Sequence, residues 1–203
     1  MFVYEKKLQY PVKIKTPNAK LAKIISSQYG GPHGEIGASL LYLSQRYTMP
    51  HPELKAVLTD IGTEELGHLE MVGTIIYQLT KGLSIEEIKA AGFEDYFVDH
   101  TLGISPQSAA GIPFNAGGLN VTGDSIADLH ENMSAEQKAR MTYDNILRFA
   151  DDPDVREPIK FLRAREVVHY QRFGEGLRIL TDKLDSKNFY AFNPAFDNKK
   201  RKR

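Results

Sequence analysis

Glutamates and histidines recur in this sequence in a pattern suited to holding a pair of metal ions. Glu35 and Glu136 stand 101 positions apart, and the same shift carries Glu65 onto Glu166 and His68 onto His169. Ala38, Tyr42 and Pro52 land on Ala139, Tyr143 and Pro153. Each copy reads Glu, then Tyr seven residues later, then a proline-marked break, then Glu-x-x-His. Residues three apart share a helix face, so Glu65 and His68 can reach one ion, and Glu166 and His169 can do so from a second helix. Glu35 and Glu136, one helix earlier in each copy, can each close one side of the site. One Glu-x-x-His arises readily by chance on an exposed helix. Two copies at equal intervals from an equally placed Glu and Tyr are a far more specific signal, and four carboxylates with two imidazoles in this order form the ligand set of a dinuclear site in a four-helix bundle.

Oxygen ligands with only two imidazoles favour iron or manganese over zinc or copper. Two redox metals held close together can exchange two electrons at once. That suits peroxide, dioxygen or the oxidation of iron for storage, and ligand types alone do not choose among these.

The elements that must position these residues are helical. Leu21, Ile24 and Ile25 recur at helical spacing from Asn18 to Tyr29, before Gly30-Gly31-Pro32-His33-Gly34 interrupts. The helix resumes at Glu35 and is predicted to run to about Tyr47. A second long helix is predicted from Pro52 to Thr80, a third from Ser125 or Ser134 to Ala150, and a fourth from Pro153 to Leu184. Pro52 and Pro153 suit first helical turns, Asp152 can cap the fourth helix, and Pro158 is tolerable only near its start. Roughly forty residues separate the second and third helices, with a short helix expected over Ser84 to Ala91. A connection of that length crosses the bundle, as in ferritin-like folds, and this one could roof the site. The expectation is an all-α, ferritin-like four-helix bundle forming a single domain over 1–203, with an extended arm at 1–17, the bundle at 18–184 and a tail at 185–203 ending in a basic run. The arm is expected to pack on the bundle or on a neighbouring subunit.

Lys plus Arg and Asp plus Glu number 26 each, so the formal net charge is zero, which gives no support to nucleic acid or an anionic membrane as partner. No apolar run approaches a membrane span, and the charged opening is unlike a secretory signal. The absence of cysteine excludes disulfides, zinc–thiolate sites and a rubredoxin-type electron relay within this sequence, and fits a cytoplasmic location.

The sequence resembles the manganese catalases through motifs that span nearly the whole bundle. These are Gly30-Gly31-Pro32-x-Gly34-Glu35, the run from Leu58 to Glu70, Gly123-Asp124 with Asp128-Leu129, Ala135-Glu136-x-x-Ala139-Arg140, and Arg165-Glu166-x-x-His169. Within that family it is similar to the short spore-coat branch, through VYEKKLQYPVKIK and YLSQRYTMP. The resemblance implies two manganese ions per chain, with iron as the alternative. Glu35 and His68 would complete one ion, Glu136 and His169 the other, and Glu65 would bridge them. Glu166 would stay off the metals and carry protons, and Tyr42 would order Glu35 or solvent. Tyr143 is expected as a core tyrosine with a satisfied hydroxyl. Glu64 and Glu70 are expected to point away from the Glu65/His68 face, His33 to lie on the surface, and Arg140 and Arg165 to form helix-face ion pairs.

The implied activity is disproportionation of hydrogen peroxide to water and dioxygen. A di-iron ferroxidase or peroxidase is the alternative enzyme, and a structural coat protein with a metal site of low activity is the alternative from another class. Expected partners are peroxide, further copies of the chain and other spore-coat proteins, with assembly into the coat.

Overall fold

The computed structural model describes residue 5 and residues 7–184. The predicted tail at 185–203 and the start of the arm lie outside the described residues. What is described is all-helical, a ferritin-like bundle with no β-strand among the described residues. One bundle position is shared by α1 (Ala19–Gly30) and α2 (Glu35–Gln45), and the other three are α3 (Pro52–Thr80), α6 (Ser125–Leu147) and α7 (Pro153–Asp182). α2 packs on α3 and α6 on α7, while α1 lies against α3 and α6.

Local chemistry sets these boundaries. Asn18 caps α1 by accepting from the Leu21 N–H at 3.0 Å, and Asp152 caps α7 with Pro153 at its first position. Asp124 accepts from Ile126 and Ala127 to start α6, which selects Ser125 over Ser134 as the first helical residue. α6 stops at Leu147 rather than Ala150, and Arg156 donates to both the Leu147 and Ala150 carbonyls that the helix end leaves open. α2 likewise ends at Gln45, two residues before the predicted Tyr47.

The break between α1 and α2 has a packing cause. A Cβ at Gly30 would lie 2.4 Å from the backbone of Pro106 and Gln107. The glycine therefore lets the long connection press directly on the end of α1. That connection holds α4 (Ile85–Ala90), α5 (Glu94–His100) and a 3-10 turn at Ala116–Gly118. α5 was not foreseen; Phe93 and Tyr96 bury there with Ile88 and Ala19 to anchor the crossover.

The arm packs along the bundle. Leu8, Tyr10, Val12 and Ile14 join a core with α1, the second half of α3, the end of α6 and the start of α7. Gln78 pins it by donating to the Val12 carbonyl and accepting from the Ile14 N–H. A second core gathers α2, the first half of α3, the start of α6 and the end of α7. Glu65, His68, Glu136, Glu166 and His169 fall along their helices between these two apolar clusters, and all five are buried.

Candidate metal centre

Glu65 is the geometric centre of the polar layer. His68 Nδ1 lies 2.7 Å from Glu65 Oε2, and His169 Nδ1 lies 2.9 Å from Glu65 Oε1. Each oxygen of one carboxylate thus meets a different imidazole, and the rings stack with centroids 5.4 Å apart. Glu35 Oε2 lies 3.9 Å from His68 Nδ1, Glu136 Oε2 lies 3.5 Å from His169 Nδ1, and Glu166 Oε1 lies 3.8 Å from His68 Nδ1. Ligand-capable atoms of Glu65, His68, Glu166 and His169 all fall within 4.8 Å of one another. The structure therefore gathers Glu35, Glu65, His68, Glu136, Glu166 and His169 in one place, with Glu166 as close in as the rest.

Burying so many carboxylates together has an electrostatic signature. Burial, and then the charge on Glu65, raise Glu35 and Glu166 well above the ordinary carboxylate range and raise Glu136 as well. Burial opposes ionisation of Glu65 too, but His169 and His68 on either side outweigh it and hold Glu65 low. Burial disfavours the imidazolium of His68, yet Glu65 and Glu64 push that ring up to about 9, and His169 is raised by Glu65 and Glu136. Without cations, the layer is a set of carboxylates competing for protons.

Two phenols complete it, in a crossed arrangement. Tyr143 donates to Glu35. Tyr42 interacts with Glu136, not with Glu35 as its place in the same helix suggests. The reason is geometric: Tyr42 lies seven residues, two helical turns, beyond Glu35 on α2, and the carboxylate it meets comes from the facing helix α6. Tyr143 does have a satisfied hydroxyl, but its acceptor is a site carboxylate.

Glu64 also departs from expectation. Instead of pointing away, it reaches beneath both rings, 3.1 Å from His169 Nε2 and 3.5 Å from His68 Nε2, and pairs with Arg165. Helix geometry permits this because positions i and i+4 share a face as well as i and i+3. The repeat carried the signal, since Glu64 and Arg165 are 101 positions apart and stand at equivalent places with opposite charges. Arg140 makes the helix-face pair expected of it, to Asp144.

A cavity of about 120 Å³ runs from His33, Glu131 and Lys138 inward to Tyr42 and Glu166, with Leu119 and Asn120 of the long connection as one wall. His33 is half-buried in that wall rather than a plain surface residue. The connection thus forms a side of the passage to the site.

Residues 1–199 match the family described as manganese containing catalase. The chain belongs to that family. It is 49% identical to Protein CotJC of Bacillus subtilis (strain 168) over 190 residues, covering 94% of this chain and all of that one. It is 36% identical to a probable manganese catalase of Clostridium acetobutylicum, over 93% of this chain and 85% of the other. The crystal structure of KatB, a manganese catalase from Anabaena, superposes with a TM-score of 0.84 at 32% identity, over 93% of this chain and 84% of that one. Membership of the manganese catalases gives hydrogen peroxide as the substrate class and makes the buried Glu/His layer the metal site. No helix among the described residues is long and apolar enough to cross a membrane.

Proposed function

We propose that this chain disproportionates hydrogen peroxide at a pair of manganese ions held by Glu35, Glu65, His68, Glu136 and His169. The observation that carries the reading is Glu65, whose two oxygens each face the Nδ1 of a different histidine, as a carboxylate spanning two cations must. The donor set fits the ions. Glu65 Oε1, both oxygens of Glu136, Glu166 Oε1 and His169 Nδ1 are buried without an aligned hydrogen-bond partner. Such atoms are costly unless something satisfies them. Four buried carboxylates also match the charge of two divalent cations, leaving both histidines neutral. Glu35 and His68 would hold one ion, Glu136 and His169 the other, and Glu65 both. This oxygen-rich set favours manganese or iron.

When bound, the ions supply the capacity to accept and return two electrons. The protein's own part is to admit peroxide, hold the carboxylates and move protons. Two molecules of peroxide give one of dioxygen and two of water, so the protons released by the first must be delivered to the second. Glu166 sits at the inner end of the passage with Oε1 unpartnered, and burial together with the neighbouring Glu65 charge raises its carboxyl well above the ordinary range, which favours its holding a proton. Glu166 is therefore the proton carrier in this reading, held off the ions. Tyr143 keeps Glu35 in a fixed orientation by donating to it, and Tyr42 stands beside Glu136.

Full-length coverage of Protein CotJC, at the highest identity given above, supports placing the chain in the short branch and with it a role in the spore coat, among other coat proteins and further copies of itself. The deciding experiment is metal analysis of the purified protein together with oxygen evolution from peroxide, wild type beside Glu65→Ala. Two manganese per chain and loss of both metal and activity in the variant are expected. Iron in place of manganese, or metal without oxygen release, overturns the reading in favour of a di-iron enzyme or a structural coat protein.

A further inference from the structure

Both histidines end on a residue that the chemistry above does not use. Each ring points Nδ1 inward at Glu65 and Nε2 outward at Glu64, at 3.1 Å for His169 and 3.5 Å for His68. Both Nε2 atoms are buried and lack an aligned hydrogen-bond partner. An imidazole that offers the Nδ1 lone pair to a cation carries its hydrogen on Nε2, and a buried N–H calls for an acceptor. We propose that Glu64 is the shared positioning residue of the site, accepting from Nε2 of both His169 and His68 and fixing both rings with Nδ1 toward the ions. The inference rests on the dinuclear reading above.

Glu64 is itself held in place. Arg165 grips it with two parallel bonds, Nε to Oε1 at 2.7 Å and Nη2 to Oε2 at 3.0 Å. Gln9, from the N-terminal arm, donates to Oε1 at 2.7 Å. A carboxylate offers about four lone-pair positions, two on each oxygen. On Oε2, Arg165 leaves one position for His169. On Oε1, Arg165 and Gln9 fill both, so His68 arrives as a third donor, in keeping with its longer distance. The two ends of the site are therefore unequal: Glu64 has room for His169 and is crowded at His68. The two-point grip of the guanidinium turns both Glu64 oxygens toward groups that donate, which suits it to accept from an imidazole N–H. Through Gln9 the arm is coupled to the metal centre.

The test is to titrate manganese(II) into metal-free full-length protein and follow free ion by electron paramagnetic resonance, using wild type, Glu64→Gln, Glu64→Ala and Arg165→Ala. Melting curves of the metal-free proteins run alongside. Glu64→Gln fills the same space but replaces an acceptor oxygen with a donating amide. It should weaken binding about 10–100-fold, chiefly at one of the two ions. Arg165→Ala leaves the carboxylate under the rings and should weaken binding by less than Glu64→Gln does. Glu64 variants that bind both ions within about threefold of wild type would overturn the proposal. So would an Arg165→Ala loss as large as theirs, which would reduce Glu64 to a bracing ion pair. A readout that needs no variant is nitrogen-15 resonance of wild type loaded with zinc. It should show two slowly exchanging Nε2–H groups, and rings protonated at Nδ1 would overturn the proposal. Wild type that takes up no manganese defeats the dinuclear reading itself, and that result is visible before any substitution.

Discussion

Tyr143 on α6 donates its hydroxyl hydrogen to Glu35, the first residue of α2. Its repeat-related counterpart, Tyr42 on α2, meets Glu136 on α6. Each half of the sequence thus sets a phenol against a buried carboxylate of the other half. The same exchange recurs at Glu64 and Arg165. In these pairs the two partners come from opposite halves of the internal repeat, so the halves meet through polar contacts at the buried layer as well as through their apolar cores.

Replacing Tyr143 with Phe removes the donor and leaves the ring packing nearly intact. Glu35 then has a buried oxygen without its partner, a loss worth about 1–3 kcal/mol where nothing replaces it. The expected outcome is manganese affinity about tenfold weaker and lower oxygen evolution at limiting manganese, restored by excess metal. Titration of the metal-free variant checks this, and unchanged affinity would mean that Glu35 needs no external orientation.

Glu166→Gln separates proton carriage from ligation. The amide keeps the shape of the side chain but cannot bind and release a proton near neutrality. Metal content should stay at two ions per chain while peroxide turnover falls about 100- to 10,000-fold. Metal analysis and an oxygen electrode on the same sample decide between the roles. Loss of an ion would make Glu166 a ligand.

Much of this was legible in the sequence, and the reasons differ by level. The four bundle positions announced themselves through helical periodicity, Pro52, Pro153 and Asp152, because those signals act locally. Glu35, Glu65, His68, Glu136, Glu166 and His169 were legible because the repeat marked them twice. The partners of Tyr42 and the direction of Glu64 were not, because a helix face tells which residues are neighbours along one helix, not which carboxylate the opposite helix brings up to them. α5 was hidden for a similar reason: seven residues with little periodicity hold their helix through Tyr96, which packs on Phe93 and donates to the Gly103 carbonyl. The passage past His33 depends on where the long connection lies, a tertiary fact set by the close approach at Gly30.

The metal-free protein should lose stability as pH rises from about 6.5 to about 9. His68 is raised in the fold to about 9, although burial opposes this, because Glu65 and Glu64 favour its charged form. A raised histidine contributes stability that is fully present below its unfolded value, near 6.5, and is lost as pH climbs through the folded value. Glu35, Glu136 and Glu166 are raised too, so ionising them acts in the same direction. Glu65 and Glu64 are depressed, and their contribution is lost only in acid. The His68 shift alone corresponds to about 3 kcal/mol. Urea midpoints of chelator-treated protein at pH 6.5 and 9.5 measure it. Manganese displaces these protons, so the loaded protein should show no such loss and its affinity for the metal should rise over the same interval. A flat metal-free profile would mean that the histidines are neutral without metal.

The passage beside Glu166 should set which oxidants reach the site. Its volume is about 120 Å³, and Ala135 lies in its wall next to Glu136 on α6. Ala135→Leu places three further carbons in that space without removing any ligand or hydrogen-bond donor. Peroxide would then reach the same centre through a narrower opening, so kcat/KM should fall about tenfold or more at unchanged metal content, with a smaller fall in kcat. A bulky alkyl hydroperoxide should already be a poor substrate for wild type, and the variant should leave its rate no better. Oxygen evolution and peroxide consumption across a concentration series give both constants. Equal losses in kcat and kcat/KM would place the effect at the chemistry instead, through displacement of Glu136, and an unchanged kcat/KM would mean that peroxide enters by another route.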